Sequence, residues 1–255
     1  MPLNIIDRHK HILDKLDLNG FVTVNDLSQE FNVSLVTIRK DLKLLEERNL
    51  LFRSHGRAIP ADPYVAEHPV NIKERVHATE KRRIAIEAGS NLETNESIII
   101  ASGTSVIEFA KHIKKTEGLT VLTASLDTAL ILSENPNIDV IQLGGTIRRS
   151  SSSVVGPISE KMLSELTFSK LFLGVDGIDI EYGLTTTNIM EASLNKQMIK
   201  AAQKIIILAD SSKFGKKGFG RICGIEDVDQ IITDRGIDES TKNKLIELGI
   251  DVTIV

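Results

Sequence analysis

One cysteine, no tryptophan and two tyrosines stand among 255 residues. With Cys223 alone no internal disulfide can form, and the six histidines show no metal-ligand spacing, so no metal ion is expected. Aromatic residues make up 4% of the chain, too few for the stacking platforms on which single-strand and RNA binders rely. No apolar run approaches the ~20 residues that span a bilayer. The opening MPLNIIDRHKHI becomes charged too early for a signal peptide. A cytoplasmic protein without a membrane partner is therefore expected. A net charge of −4 gives no global invitation to nucleic acid. Also missing are a Walker loop and a G-x-G-x-x-G after a strand, so nucleotide and dinucleotide cofactors lack their usual phosphate cradle and no cofactor is expected.

What is present is ordinary in bulk and particular in pattern. Hydrophobic content of 41% and charged content of 26% suit a globular protein, and the length allows one large domain or two. Residues 1–60 are close to neutral, yet the bases Arg39, Lys40, Lys43, Arg53 and Arg57 cluster in their second half. Apolar positions Ile5, Ile12, Leu13 and Leu16 predict a first helix, stopped at Asn19–Gly20 because glycine takes left-handed angles cheaply. A second helix follows at about 25–31, then a tight turn at Asn32–Val33 and a third helix at 34–48 with Ser34 as its N-cap. Ile38, Leu42 and Leu45 recur on one stripe of that helix. Val36, Lys40 and Lys43 lie opposite, with Thr37 and Arg39 on the flanks. Phe21-Val22-Thr23 is too short to stand alone and is expected to pair with a ribbon over 51–58 that bends near Gly56. Three helices and such a ribbon make a winged helix-turn-helix over 1–58. In that reading Ser34, Val36, Thr37, Arg39, Lys40 and Lys43 face a DNA major groove, and Arg53, His55 and Arg57 hold the backbone.

Pro60-Ala61-Asp62-Pro63 breaks regular structure, which places a linker at 59–70 and a second domain at 71–255. That domain opens on a long charged helix over 71–92. From Glu96 short β-branched runs without alternation (98–101, 119–123, 140–143, 170–175, 204–209, 230–233, 252–255) are separated by amphipathic segments. Such runs imply strands buried on both faces, hence a mainly parallel sheet in an α/β domain.

Ligands of open α/β sheets bind outside the carboxyl ends of strands. Three loops at such ends share a character: Ser102-Gly103-Thr104-Ser105, Thr123-Ala124-Ser125, and Gly144-Gly145-Thr146 with Arg148. Glycine permits close backbone approach, hydroxyls donate hydrogen bonds, and a helix N-terminus favours an anion. Converging, they would hold a phosphate, although Ser/Thr-rich helix starts are ordinarily caps. Asp176 and Asp179 end another strand and suit turn chemistry, while Asp176 alternatively suits a sugar's hydroxyl or amino groups. Lys213, after a further strand, offers a point charge to an anion.

With these residues assembled, the chain resembles the DeoR family of bacterial transcriptional regulators over nearly its full length. At the N-terminus the resemblance rests on VTVNDLSQEFNVSLVTIRKDLKLLEE and RSHGRA, close to the family's V-S-x-x-T-I-R-x-D-L and R-x-H-G-G-A, with Arg57 at the second wing glycine. Further on it rests on ASGTS, LTVLTAS, LGGTIRR, FLGVDGID, GLTTTN and LADSSKFGK. The family's usual S-G-T-T and T-N-S become S-G-T-S and T-A-S here, so Ser105 keeps a hydroxyl while Ala124 loses an amide. The resemblance implies a sensor domain similar to ribose-5-phosphate isomerase, with Ser102, Gly103, Thr104, Ser105, Ser125 and Gly145 cradling a phosphosugar beside Asp176 and Lys213. The run 171–198 most resembles regulators of amino-sugar (N-acetylgalactosamine-type) catabolism.

The resulting expectation is a DNA-binding repressor of a carbohydrate operon, not an enzyme. It binds an operator as a homo-oligomer, dimer or tetramer, and its affinity is controlled by a phosphorylated sugar. The alternative is a sugar-phosphate isomerase with an accessory DNA-binding domain, using Asp176 and Asp179 as acid and base. In a third reading the third helix merely packs.

Overall fold

The computed structural model describes residues 4–255 apart from 49, 55–56, 61–69 and 114–116. Two compact units divide the chain, Met1–Tyr64 and Val65–Val255.

In the first unit α1 (Ile5–Asn19) starts on the Asn4 side chain and stops at Gly20, whose φ of 77° is the left-handed value expected there. After β1 (Val22–Thr23) come α2 (Val24–Phe31), a left-handed Asn32, and α3 (Leu35–Glu47), then β2 (Leu51–Ser54) and β3 (Arg57–Pro60). β1 pairs with β3 and β3 with β2, all antiparallel. The short segment thus gains its partner, and the winged helix-turn-helix expectation holds. Ile12, Leu16, Leu27, Phe31, Ile38, Leu42, Leu45 and Leu51 close one core. Two expectations fail in detail. Ile5 is exposed, and α1 instead buries Arg8. Ile59 and Pro60, expected in the linker, end β3, while its residues 61–69 lie outside the described residues.

Arg8 matters because its guanidinium meets Asp41 of α3 through Nε at 2.6 Å and Nη2 at 3.0 Å, with His9 Nε2 at 3.2 Å from the same carboxylate. The Asp41 hydrogen bond, opposed by burial, raises the Arg8 pKa.

The second unit runs α4 (Val70–Lys73), α5 (Ala78–Ala88), β4 (Ser97–Ile100), α6 (Thr104–His112), β5 (Leu119–Thr123), α7 (Leu126–Ser133), β6 (Ile138–Gln142), β7 (Thr146–Arg148), β8 (Ser153–Val155), α8 (Pro157–Leu163) and β9 (Phe168–Leu173). It continues with β10 (Gly177–Asp179), β11 (Gly183–Thr186), α9 (Ile189–Lys200), β12 (Ala202–Leu208), β13 (Gly220–Cys223), β14 (Gln230–Thr233), α10 (Glu239–Glu247) and β15 (Asp251–Ile254). Seven strands form one parallel sheet in the order β15-β14-β12-β9-β4-β5-β6. Within β4, Ile98 and Ile100 join the cluster under α5 and α6, while Ile99 joins the one that includes α9 and α10 residues. That is why its apolar residues run without alternation. β7 and β8 form a hairpin, and β10, β11 and β13 a small antiparallel sheet; both fall where only loops are expected. The expected single helix over 71–92 is instead α4 and α5, parted at His77, whose φ is 53°.

Asp41→Ala leaves the Arg8 charge buried without its counterion, a loss of about 3 kcal/mol or more. Denaturant unfolding of the first unit should show it. An Arg8→Met/Asp41→Leu double variant should recover most of that stability.

Candidate functional site

On the first unit, Ser34 Oγ accepts the Thr37 N–H at 3.1 Å and lies 2.9 Å from Thr37 Oγ1, so both hydroxyls are engaged in starting α3. Beyond that cap Val36, Arg39, Lys40 and Lys43 are exposed, opposite the buried Ile38, Leu42 and Leu45. The packing stripe and the outward face are therefore different residues. Lys43 stands 3.8 Å from Glu47. Arg53 donates to Glu46 from its backbone N–H at 2.9 Å and from Nε at 2.6 Å, which ties the ribbon to α3. Arg57 lies 4.9 Å over the Phe21 ring. His55 lies outside the described residues.

In the second unit the parallel sheet reverses its winding between β4 and β9. From β4 the chain proceeds outward to β5 and β6, then returns to add β9, β12, β14 and β15 on the other side. The loops leaving β4 and β9 must diverge, and a crevice opens between them. The loops still start close together, since a Cβ on Gly174 would come within 3.3 Å of the Ser102 carbonyl oxygen. A cavity of about 50 Å³ lies here, lined by Ser102, Gly103, Thr104, Ser105, Arg148, Asp176 and Lys213 among others.

Four other candidates do not line it. Thr123 is fully buried and accepts the Ser125 N–H at 3.0 Å. Ser125 caps α7 by accepting the Thr128 N–H at 3.2 Å. Gly144 accepts the Ser159 hydroxyl at 2.6 Å, and a Cβ at Gly145 would fall 2.8 Å from the Val155 carbonyl. The two helix starts differ in one respect that matters. α7 has a side-chain cap; α6 begins at Gly103 (φ 116°) with none, and a Cβ there would meet nothing within 4 Å. No side chain therefore accepts from the first N–H groups of α6, an arrangement that suits an anion.

The cavity also gathers residues outside the expected set: Thr186 and Thr187 of the GLTTTN motif, and Lys73, Ser150, Ser151, Glu191 and Asn195. Asp176 is buried, with Lys73 Nζ on Oδ1 at 2.5 Å; Oδ2 accepts from Thr186 Oγ1 at 3.0 Å and from the Thr187 N–H at 3.2 Å. Burial opposes its charge, but the ammoniums of Lys73 and Lys213 outweigh burial and hold the carboxyl well below the usual carboxylate range. Glu191 accepts from Arg148 Nη1 at 2.8 Å and from Thr186 Oγ1 at 3.2 Å. It is placed by the Asn188 side chain, which caps α9. Behind the cavity Asp210 is buried with one carboxylate oxygen lacking a hydrogen bond. Burial opposes its charge too, and the fields of Lys213 and His77 lower its pKa.

The acid and base pairing of Asp176 with Asp179 is not assembled. Asp179 Oδ1 accepts the N–H groups of Glu181 and Tyr182, its Oδ2 lies 3.3 Å from Lys217, and it does not line the cavity. The turn reading of that carboxylate is the correct one. Among the described residues no three His, Cys, Asp or Glu side chains gather as a metal site, and no helix is long and apolar enough to cross a membrane.

Two family models match the chain: "DeoR-like helix-turn-helix domain" over residues 8–63 and "DeoR C terminal sensor domain" over 76–235. A putative aga operon transcriptional repressor of Escherichia coli O157:H7 is 35% identical over 98% of this chain and 93% of its own. The transcriptional regulator GolR of Listeria innocua is 32% identical over 97% of this chain and 98% of its own. Among solved structures, ribose 5 phosphate isomerase A from Neisseria gonorrhoeae aligns over 52% of each chain with 19% identity and a TM-score of 0.39.

Lys81, buried behind the cavity, donates to the carbonyls of Lys73 at 2.5 Å and Val76 at 2.6 Å. Burial nonetheless lowers its pKa from 10.5 to about 8. Below pH 8 folded and unfolded chains both carry this charge, and its cost is constant. Between pH 8 and 10.5 only the unfolded chain keeps the proton, so stability rises with pH, by up to ~3 kcal/mol. Lys81→Met should abolish that rise, as denaturant midpoints of the two proteins across this range will show.

Proposed function

Because the chain belongs to the DeoR family of transcriptional regulators, we propose that it represses a carbohydrate catabolic operon under the control of a phosphorylated sugar. The observation that carries this reading is the cavity between β4 and β9. At one side it offers the uncapped start of α6 and the Lys213 ammonium, which suit a phosphate. At the other it offers the carboxylates of Asp176 and Glu191, which suit hydroxyl or amino groups. The resemblance of the run 171–198 to amino-sugar regulators supports an amino-sugar phosphate. Ser102, Gly103, Thr104, Ser105, Arg148, Asp176 and Lys213 form the proposed binding set.

On DNA, the exposed Val36, Arg39, Lys40 and Lys43 read the major groove, and Arg53 and Arg57 follow the backbone. A symmetric dimer or tetramer in the cytoplasm fits this role, since helix-turn-helix proteins read paired half-sites.

Two measurements test these assignments. In gel shifts with a duplex enriched from a random pool, Arg39→Ala and Lys40→Ala should each weaken binding by ~1–3 kcal/mol where the side chain contacts a base. Unchanged affinity would make α3 a packing helix only. In a thermal-shift screen, an effector present at about 100 times its Kd stabilises the native chain by ~2.7 kcal/mol. Lys213→Met should remove most of that shift, and the absence of any shift across pentose, hexose and amino-sugar phosphates would sink the reading.

A further inference from the structure

The cavity is too small for the ligand proposed for it. Its volume is about 50 Å³, whereas small-molecule sites run from ~300 Å³ upward. Part of its wall is α4, which contributes Val70 and Lys73. The residues that follow, Glu74, Arg75 and Ala78, line a separate groove of about 450 Å³ together with Lys81 and Arg82, and Thr104 lines both spaces. Residues 70–77 are thus a partition between a cramped cavity and an open groove.

Among the described residues, two contacts join the partition to the cavity wall. Val70 N–H donates to the Ser150 carbonyl at 2.8 Å, and the Lys73 ammonium is seated on Asp176. Both partners belong to the cavity wall. Glu74 reaches Lys111 only at 3.7 Å. At the far end His77 takes a left-handed φ of 53°, a conformation uncommon for a residue with a Cβ and suited to a hinge. Lys81 pins that end by gripping the carbonyls of Lys73 and Val76.

We propose that residues 70–77 are a strap latched by the Lys73–Asp176 ion pair, and that the phosphosugar displaces it, merging cavity and groove into one site. The inference rests on reading the cavity as a phosphosugar site. A closed strap leaves no room for the ligand, so the ligand binds the open state alone and shifts the equilibrium by its full affinity.

Amide exchange over residues 70–77 in the full chain tests the latch without ligand. Lys73→Met should speed it roughly tenfold, Lys73→Arg should restore it, and β4 and β9 should keep their protection. Unchanged exchange in Lys73→Met overturns the strap. With the wild-type chain, galactosamine 6-phosphate, N-acetylgalactosamine 6-phosphate and ribose 5-phosphate are added separately. Whichever raises the melting temperature should also speed exchange over 70–77; slowed or unchanged exchange there overturns the displacement. If none raises it, the phosphosugar reading fails and the displacement with it, while the latch is judged by Lys73→Met alone.

Discussion

The pairing of β4 with β9 is the constraint from which the sensor unit takes its shape. These strands are far apart in sequence yet run parallel in a register that sets Ile98, Ile99 and Ile100 beside Lys170, Leu171 and Phe172. At their amino ends Lys170 meets Glu96 at 2.6 Å and the Asn91 carbonyl at 2.8 Å, and Ser169 donates to the same glutamate. Burial disfavours both charges, but the pairing prevails, lowering the Glu96 pKa and raising that of Lys170. With the amino ends clamped and the winding reversed, the carboxyl ends are where the loops part. The cavity is a consequence of that topology, and its residues are what the diverging loops carry.

The DNA-reading unit uses the same device on a smaller scale. Arg8 and Asp41 bury an ion pair between α1 and α3, and the outward face of α3 is then presented in one orientation. Buried pairs of this kind add little net stability compared with apolar replacements, yet breaking one is costly. Orientation is what they supply in both units. Asp41 belongs to a motif that reads as a DNA-recognition signature, and its side chain turns inward as the counterion of a helix behind it.

Legibility followed how local each signal was. The β-branched runs, the Ser34 cap, the left-handed Gly20 and the turn at Asn32 depend on near neighbours, and the elements they mark are where the pattern puts them. The loop after β4 was readable because glycine and hydroxyls sit together in sequence. Lys73 was not, since it lies in a charged stretch that reads as solvated helix and meets Asp176 from 103 positions away. Glu191 and Asn195 were hidden on a helix whose periodicity speaks only of packing. In the other direction, Thr123 and Ser125 carry the same residue types as the α6 loop, but their hydrogen bonds close the start of α7. Nothing in the residues alone separates a cap from a cradle; the deciding fact is whether the helix start is already occupied.

One hydroxyl in the cavity is asked to do two things. Thr186 Oγ1 lies 3.0 Å from Asp176 Oδ2 and 3.2 Å from Glu191 Oε2. A threonine has a single proton to give, so at any moment one of these two carboxylate oxygens goes without it. Asp176 Oδ2 accepts the Thr187 N–H in either case, so the turning hydroxyl moves one shared proton between two acids. In the proposed reading, a guest with an O–H or N–H at this wall would supply a further donor and let the hydroxyl settle on one acid.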